Sequence, residues 1–189
     1  MLFSSMIFLW VFLPMVILGN FFLSIVKFKK EETRIKLKNI FLLLSSILFY
    51  AWGEINYLFI MLGSILLNYT GGLLIHRSKN YKRTKLAAVI ALNLGLLFVF
   101  KYFNMLVIII ESILSFEGNG FQLLQNMLSM QGTGELGLPY IVLPIGISFF
   151  TFQAMSYVID VYWGKTDVQK NLFDFALYVS FFPQLVAGP

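Results

Sequence analysis

No cysteine occurs in the 189 residues, so they can hold no disulfide framework, thiolate metal site or thiol nucleophile. Histidine is nearly as scarce, with His76 the single example. Charged side chains make up 12% of the chain, about half the share of a soluble globular domain. The motifs of soluble chemistry are missing too. There is no Gly-x-x-x-x-Gly-Lys phosphate loop, no dinucleotide fingerprint, no metal-ligand cluster and no Ser/His/Asp set. Polar and apolar residues do not alternate as they do in the lipid-facing strands of a membrane barrel.

What remains is apolar. Hydrophobic residues make up 59% of the chain, too many to be covered by polar surface in water. They fall into long runs, and roughly 20 apolar residues cross a hydrocarbon core of about 30 Å. Spans are expected near 2–26, 39–53, 55–75, 86–101 and 139–162, with a partial segment at 172–187. The fold class is therefore all-α: a polytopic transmembrane helical protein with about five to six membrane segments.

The first run is longer than a signal peptide's apolar region and lacks a small-residue cleavage site. It reads as a span kinked at Pro14. A turn at Gly53-Glu54 separates the second and third spans. The run from Leu86 to Phe116 is too long for one straight crossing and is interrupted near Lys101-Tyr102-Phe103-Asn104. An amphipathic helix at the interface is expected beyond that point. Residues 117–138 hold Gly118, Gly120, Gly132, Gly134 and Gly137 and read as an exposed loop.

The formal net charge of +5 does not point to nucleic acid, because the basic residues cluster between apolar runs. Six Lys/Arg lie between Lys27 and Lys38, five between Arg77 and Lys85, and Lys165 and Lys170 follow the fifth span. Only Lys101 stands apart. Positive charge stays on the cytoplasmic side. Loops 27–38, 76–85 and 163–170 are thus expected in the cytoplasm, with the N-terminus and the Gly-rich loop outside.

Gln153, Ser156 and Asp160 fall in one narrow arc of the fifth helix at about 100° per residue. They are candidates for lining or bracing a polar path, since a carboxylate near hydrocarbon normally faces protein, water or headgroups. The plainer alternative is an interfacial Asp with two helix-packing polar residues. Pro144 and Gly146 bend the fifth span early, and with Pro139 they free backbone groups at membrane depth. Irregular backbone is tolerated there only inside protein or along a cavity, which favours an enzyme or transporter over a simple anchor. Asn68 and Asn93 are mid-span amides suited to bonding across helices, and Gly71-Gly72 suits close helix approach. His76 sits with Arg77, Lys79 and Lys82 at a helix end, where a structural or headgroup role fits better than catalysis.

The stretch Leu143-Pro-Ile-Gly-Ile-Ser-Phe-Phe-Thr-Phe-Gln-Ala-Met-Ser-Tyr-Val-Ile-Asp-Val-Tyr162 resembles the membrane-bound O-acyltransferase family, in its alginate O-acetyltransferase branch. Asn171 to Pro189, with its Phe-Pro-Gln-Leu-Val-Ala-Gly-Pro ending, is similar to the next block of that branch. Phe49-Tyr-Ala-Trp-Gly53 and Lys101-Tyr-Phe-Asn104 match its early pattern. Trp163 departs from it, standing where the branch usually has a basic residue.

The resemblance implies a fragment: the N-terminal part of one membrane-embedded acyltransferase domain, inactive alone because the family's catalytic histidine lies beyond Pro189. It also implies acyl transfer, with acetyl-CoA or another acyl thioester as cytoplasmic donor and no bound cofactor or metal. The implied acceptor is an extracellular polysaccharide such as alginate, or an extracellular or periplasmic acetyl-relay protein, with membrane lipid as surroundings. Three alternatives stay open: D-alanyl transfer to teichoic acid, a transporter half and a non-catalytic membrane scaffold.

Overall fold

The computed structural model describes residues 6–26, 30–78, 80–114 and 146–187, with backbone alone at 53, 54, 56, 103, 104, 106–114 and 185–187. The Gly-rich loop, Pro139 and Pro144 lie outside the described residues. Regular structure among the described residues is entirely helical. A π-helical turn, Phe8–Phe12, leads into α1, Leu13–Ile25. Then come α2 (Glu31–Arg77), α3 (Lys82–Leu114), α4 (Ile147–Trp163), α5 (Leu172–Ser180) and α6 (Phe182–Ala187). Phe8–Ile25, Glu31–Trp52, Tyr57–Arg77 and Lys82–Tyr102 are each long and apolar enough to cross a membrane. They expose large apolar side chains, among them Trp10, Phe59 and Phe98, which suit an apolar surrounding better than water.

Pro14 accounts for the π-helical turn. It has no N–H to donate, and its ring crowds the carbonyl four residues earlier. The preceding turn widens, so that the Leu13 N–H bonds the Phe8 carbonyl five residues back. The expected kink thus takes the form of a π-bulge in otherwise continuous helix.

Helical backbone continues through Gly53-Glu54, yet α2 is not straight. Asn39 and Tyr69 would stand about 45 Å apart on a straight helix. Asn39 nevertheless hydrogen-bonds Asp174 at 2.9 Å, while the Tyr69 ring lies 6.0 Å from that of the adjacent Phe175. Two such contacts bridge about 25 Å at most by side-chain reach. The helix therefore doubles back between its halves, at the level of the membrane surface that separates the two spans.

Around the second half of α2 the neighbours approach on different faces. A Cβ on Gly71 would lie 2.8 Å from Val89 of α3, and one on Gly72 would lie 2.9 Å from the Tyr157 ring of α4. The adjacent glycines thus serve two separate contacts. One turn away, Asn68 and Asn93 exchange amide hydrogen bonds, each Nδ2 donating to the other's Oδ1 at 2.9 Å. Their remaining amide hydrogens go to the Ser64 and Val89 carbonyls at 2.9 and 2.8 Å. Both residues are almost wholly buried, and the closed ring leaves no amide donor unpaired.

The expected interruption of α3 near Lys101-Tyr102-Phe103-Asn104 is absent from the backbone, which stays helical from Lys82 to Leu114. None of those four residues is Gly or Pro, so their polarity ends the membrane span without breaking the helix. Within this stretch Lys101 lies over the Tyr102 ring at 5.7 Å.

Replacing Asn68 with Leu strands the Asn93 amide and lowers stability in detergent by about 1–2 kcal/mol. The double change Asn68→Leu/Asn93→Leu loses less than the sum of the two single changes. Strictly additive losses in thermal unfolding would mean that the amides act independently.

Candidate functional site

α4 starts directly after Gly146, whose φ of 75° is open to glycine and strained for other residues. It ends at Gly164, φ 70°, whose N–H bonds the Val161 carbonyl while Lys165 N–H closes on Asp160 O at 2.9 Å. This is a Schellman-type stop. Gly146 therefore marks the boundary of α4, where a bend inside the span was expected.

Within the segment 172–187 the helix breaks at Phe181, where ψ is 112°. Pro183 is the cause, since its ring cannot sit in a helix interior but fits the first turn of a new one. In an unbroken helix the Phe182 N–H would bond the Tyr178 carbonyl. Here each finds a partner on another helix. The Phe182 N–H donates to Ser46 Oγ at 3.3 Å, and Gln153 Nε2 donates to the Tyr178 carbonyl at 2.7 Å. Ser46 is fully buried and donates in turn to the Leu42 carbonyl. Gln153 also reaches Gln184 Oε1 at 3.0 Å. The Phe182 ring closes the break, packing against Phe8, Phe12 and Phe49 with ring centres 5.5–6.1 Å away.

Towards the far end of α4 the chain is strapped down by two tyrosine hydroxyls. Tyr157 accepts from the Gln169 N–H at 2.9 Å, and Tyr69 donates to the Lys170 carbonyl at 2.7 Å. Asn171 caps α5 through the Phe173 N–H. Asp174 receives Asn39 on one carboxylate oxygen and Asn171 on the other, and it lies in the first turn, where the helix dipole favours an anion.

These straps enclose a cleft of about 420 Å³ lined by Tyr157, Asp160, Asp167, Gln169, Asp174 and Tyr178 among others. Three carboxylates, Asp160, Asp167 and Asp174, share the lining and disfavour an anion, so the polyphosphate of a coenzyme thioester is a poor occupant.

The three sequence candidates thus part company. Gln153 and Asp160 are both half-buried and both neighbour Tyr178, one through its carbonyl and the other across the cleft. Ser156 is exposed, and its hydroxyl turns back to the Gln153 carbonyl at 2.8 Å. His76 is exposed at the end of α2. Ser46, Tyr69, Tyr157 and Asp174 were not singled out in the sequence. For Ser46 the available signal was Pro183, because a proline in an apolar helix obliges other residues to take up the freed groups. For Asp174 it was the Asn-x-x-Asp capping pattern.

A multi-pass helical membrane protein whose final apolar segment is broken and bracketed by polar groups is the class that emerges. No family model matches the chain, and no solved structure does so significantly. Over its whole length it is 37% identical to the probable alginate O-acetylase AlgI of Pseudomonas aeruginosa and 36% identical to that of Azotobacter vinelandii. It is 31% identical to a peptidoglycan O-acetyltransferase of Helicobacter pylori. It spans 32%, 34% and 36% of those proteins, about a third of each. The similarity bears out the resemblance to the membrane-bound O-acyltransferase family, alginate O-acetyltransferase branch.

Changing Gln153 to Leu, or Ser46 to Ala, leaves a backbone group at the break without its partner. Each change lowers stability by about 1–3 kcal/mol. Ser156→Ala removes only a local bond on an exposed face and costs no more than about 0.5 kcal/mol. Thermal unfolding of the purified variants measures the contrast, and equal losses at all three positions would contradict it.

Proposed function

We propose that this chain is the N-terminal part of a membrane-bound O-acyltransferase. The enzyme takes an acetyl group from a cytoplasmic acyl thioester such as acetyl-CoA and delivers it across the membrane. The observation that carries the reading is the similarity of all 189 residues to proteins named as alginate O-acetylases and as a peptidoglycan O-acetyltransferase. The acceptor is then a hydroxyl of an extracellular polysaccharide such as alginate, or of a protein that relays the group to it. In this reading the catalytic base comes from beyond Pro189, and His76, exposed in a basic turn, is left a surface role.

In this reading Gln153 braces a discontinuous helix, and Asp160 lines a polar cleft at the cytoplasmic end of α4. Support for the bracing comes from the bonds of Gln153 to Tyr178 and Gln184 across the break. A broken helix at membrane depth needs such partners, and a path for a polar group through the bilayer needs such breaks. Thioester and polysaccharide occupy opposite sides of the membrane, so the protein must offer a way between them.

Deleting the gene is expected to abolish O-acetyl groups on the exported polysaccharide, and restoring the complete reading frame to return them. Unchanged O-acetyl content would refute the assignment. Orientation has its own test, because the chain offers a cysteine-free background. Asn80→Cys and Thr166→Cys should react with a membrane-impermeant maleimide only from the cytoplasmic side, and Ser129→Cys only from outside. The reverse pattern would invert the topology.

A further inference from the structure

The turn between α2 and α3 closes two membrane spans, so it lies at a membrane surface whichever way the protein is oriented. Over residues 76–85 the chain reads His-Arg-Ser-Lys-Asn-Tyr-Lys-Arg-Thr-Lys, five Lys/Arg with no acidic residue. Among the described residues the one ion pair is Arg34–Glu31, in a different basic stretch. Arg77, Lys82 and Arg83 are exposed and have no carboxylate partner there. Lys85 is the exception, bound back to Ser78 Oγ at 2.6 Å. That bond ties the start of α3 to the end of α2, so the remaining cations share one short turn.

Tyr81 occupies the same tip. It is the one non-glycine residue with positive φ among the described residues, at 63°, and it is 78% exposed. Its strained backbone presents an amphipathic ring to the outside at the depth where tyrosines sit among headgroups. The contrast with residues 30–38 is informative. There Glu31 and Glu32 dilute the lysines, and one of these acids already pairs with Arg34.

We propose that the 76–85 turn is a docking surface for an anionic phospholipid headgroup, with Arg77, Lys82 and Arg83 holding the phosphate and Tyr81 anchoring beside it. Charge complementarity selects the occupant. The cations sit within reach of a leaflet surface, where each contributes on the order of a fivefold gain in affinity for anionic lipid. The site is independent of the acyl-transfer reading.

The test is native mass spectrometry of the full protein released from mixed phosphatidylglycerol and phosphatidylcholine vesicles. The wild type should retain phosphatidylglycerol in preference to phosphatidylcholine. Lys82→Gln/Arg83→Gln should weaken that retention about 25-fold, while Lys82→Arg keeps it. Lys36→Gln, an equal loss of charge per residue in the diluted stretch, should change it less than twofold. Equal retention of the two lipids by the wild type overturns the proposal, and so does a loss in Lys36→Gln as large as that per residue in the double variant. Should the double variant fail to insert, salt decides. Wild-type retention that does not fall as ionic strength rises from 0.05 to about 0.5 M, where the screening length shortens severalfold, also overturns it.

Discussion

Everything around the break at Phe181 follows from one constraint: a peptide group buried away from water must find a hydrogen-bond partner within the protein. Pro183 separates the Tyr178 carbonyl from the Phe182 amide, and the two then draw in Gln153 from α4 and Ser46 from α2. Those bonds set the level of α4 and of the first half of α2 against α5. The aromatic cluster of Phe8, Phe12, Phe49 and Phe182 fills the space the break opens. A polar requirement of two atoms thereby helps to fix how α4 and the first half of α2 sit against α5, alongside the Asn39–Asp174 bond.

The same logic recurs where the helices are intact. Between apolar helices in lipid there is little hydrophobic drive, so close packing and a few hydrogen bonds decide register. Gly71 and Gly72 allow the approach of α3 and α4 on separate faces of α2, and the Asn68–Asn93 amide ring pins the height of one of them. At the other end Tyr69, Tyr157 and Asp174 hold the connection between α4 and α5 against α2. The second half of α2 is accordingly the most enclosed of the four spans, with 39% of its 18-residue apolar stretch buried against 17% for Phe8–Ile25.

Much of this is legible in the sequence. The length of the apolar runs gave the helical class and the four described spans, because crossing a bilayer leaves few other solutions. The mid-span amides and the paired glycines announced helix contacts. Their partners were not legible, since a pairing between residues 25 positions apart depends on the register of two helices. Lys101 to Asn104 shows the opposite error. Polar residues signalled the end of a membrane span, and a span's end was read as a helix's end, though nothing in those side chains disfavours helical backbone.

Of the features set by local covalent chemistry, the sequence by itself determined the distortion at Pro14, seen as a widened turn. Gly146 bounds α4 where a bend inside the span was expected, and the stop at Gly164 and the break before Pro183 became plain only in the structure, although each acts within four or five residues. Tertiary structure alone decided that α2 doubles back so that Asn39 and Tyr69 meet the same turn of α5. It alone separated Gln153, which spans the break, from Ser156, three residues away on the same stripe and bonded only to its own helix. A helical wheel gives the direction of a side chain but not what stands opposite, and a hydrogen bond reaches only about 3 Å.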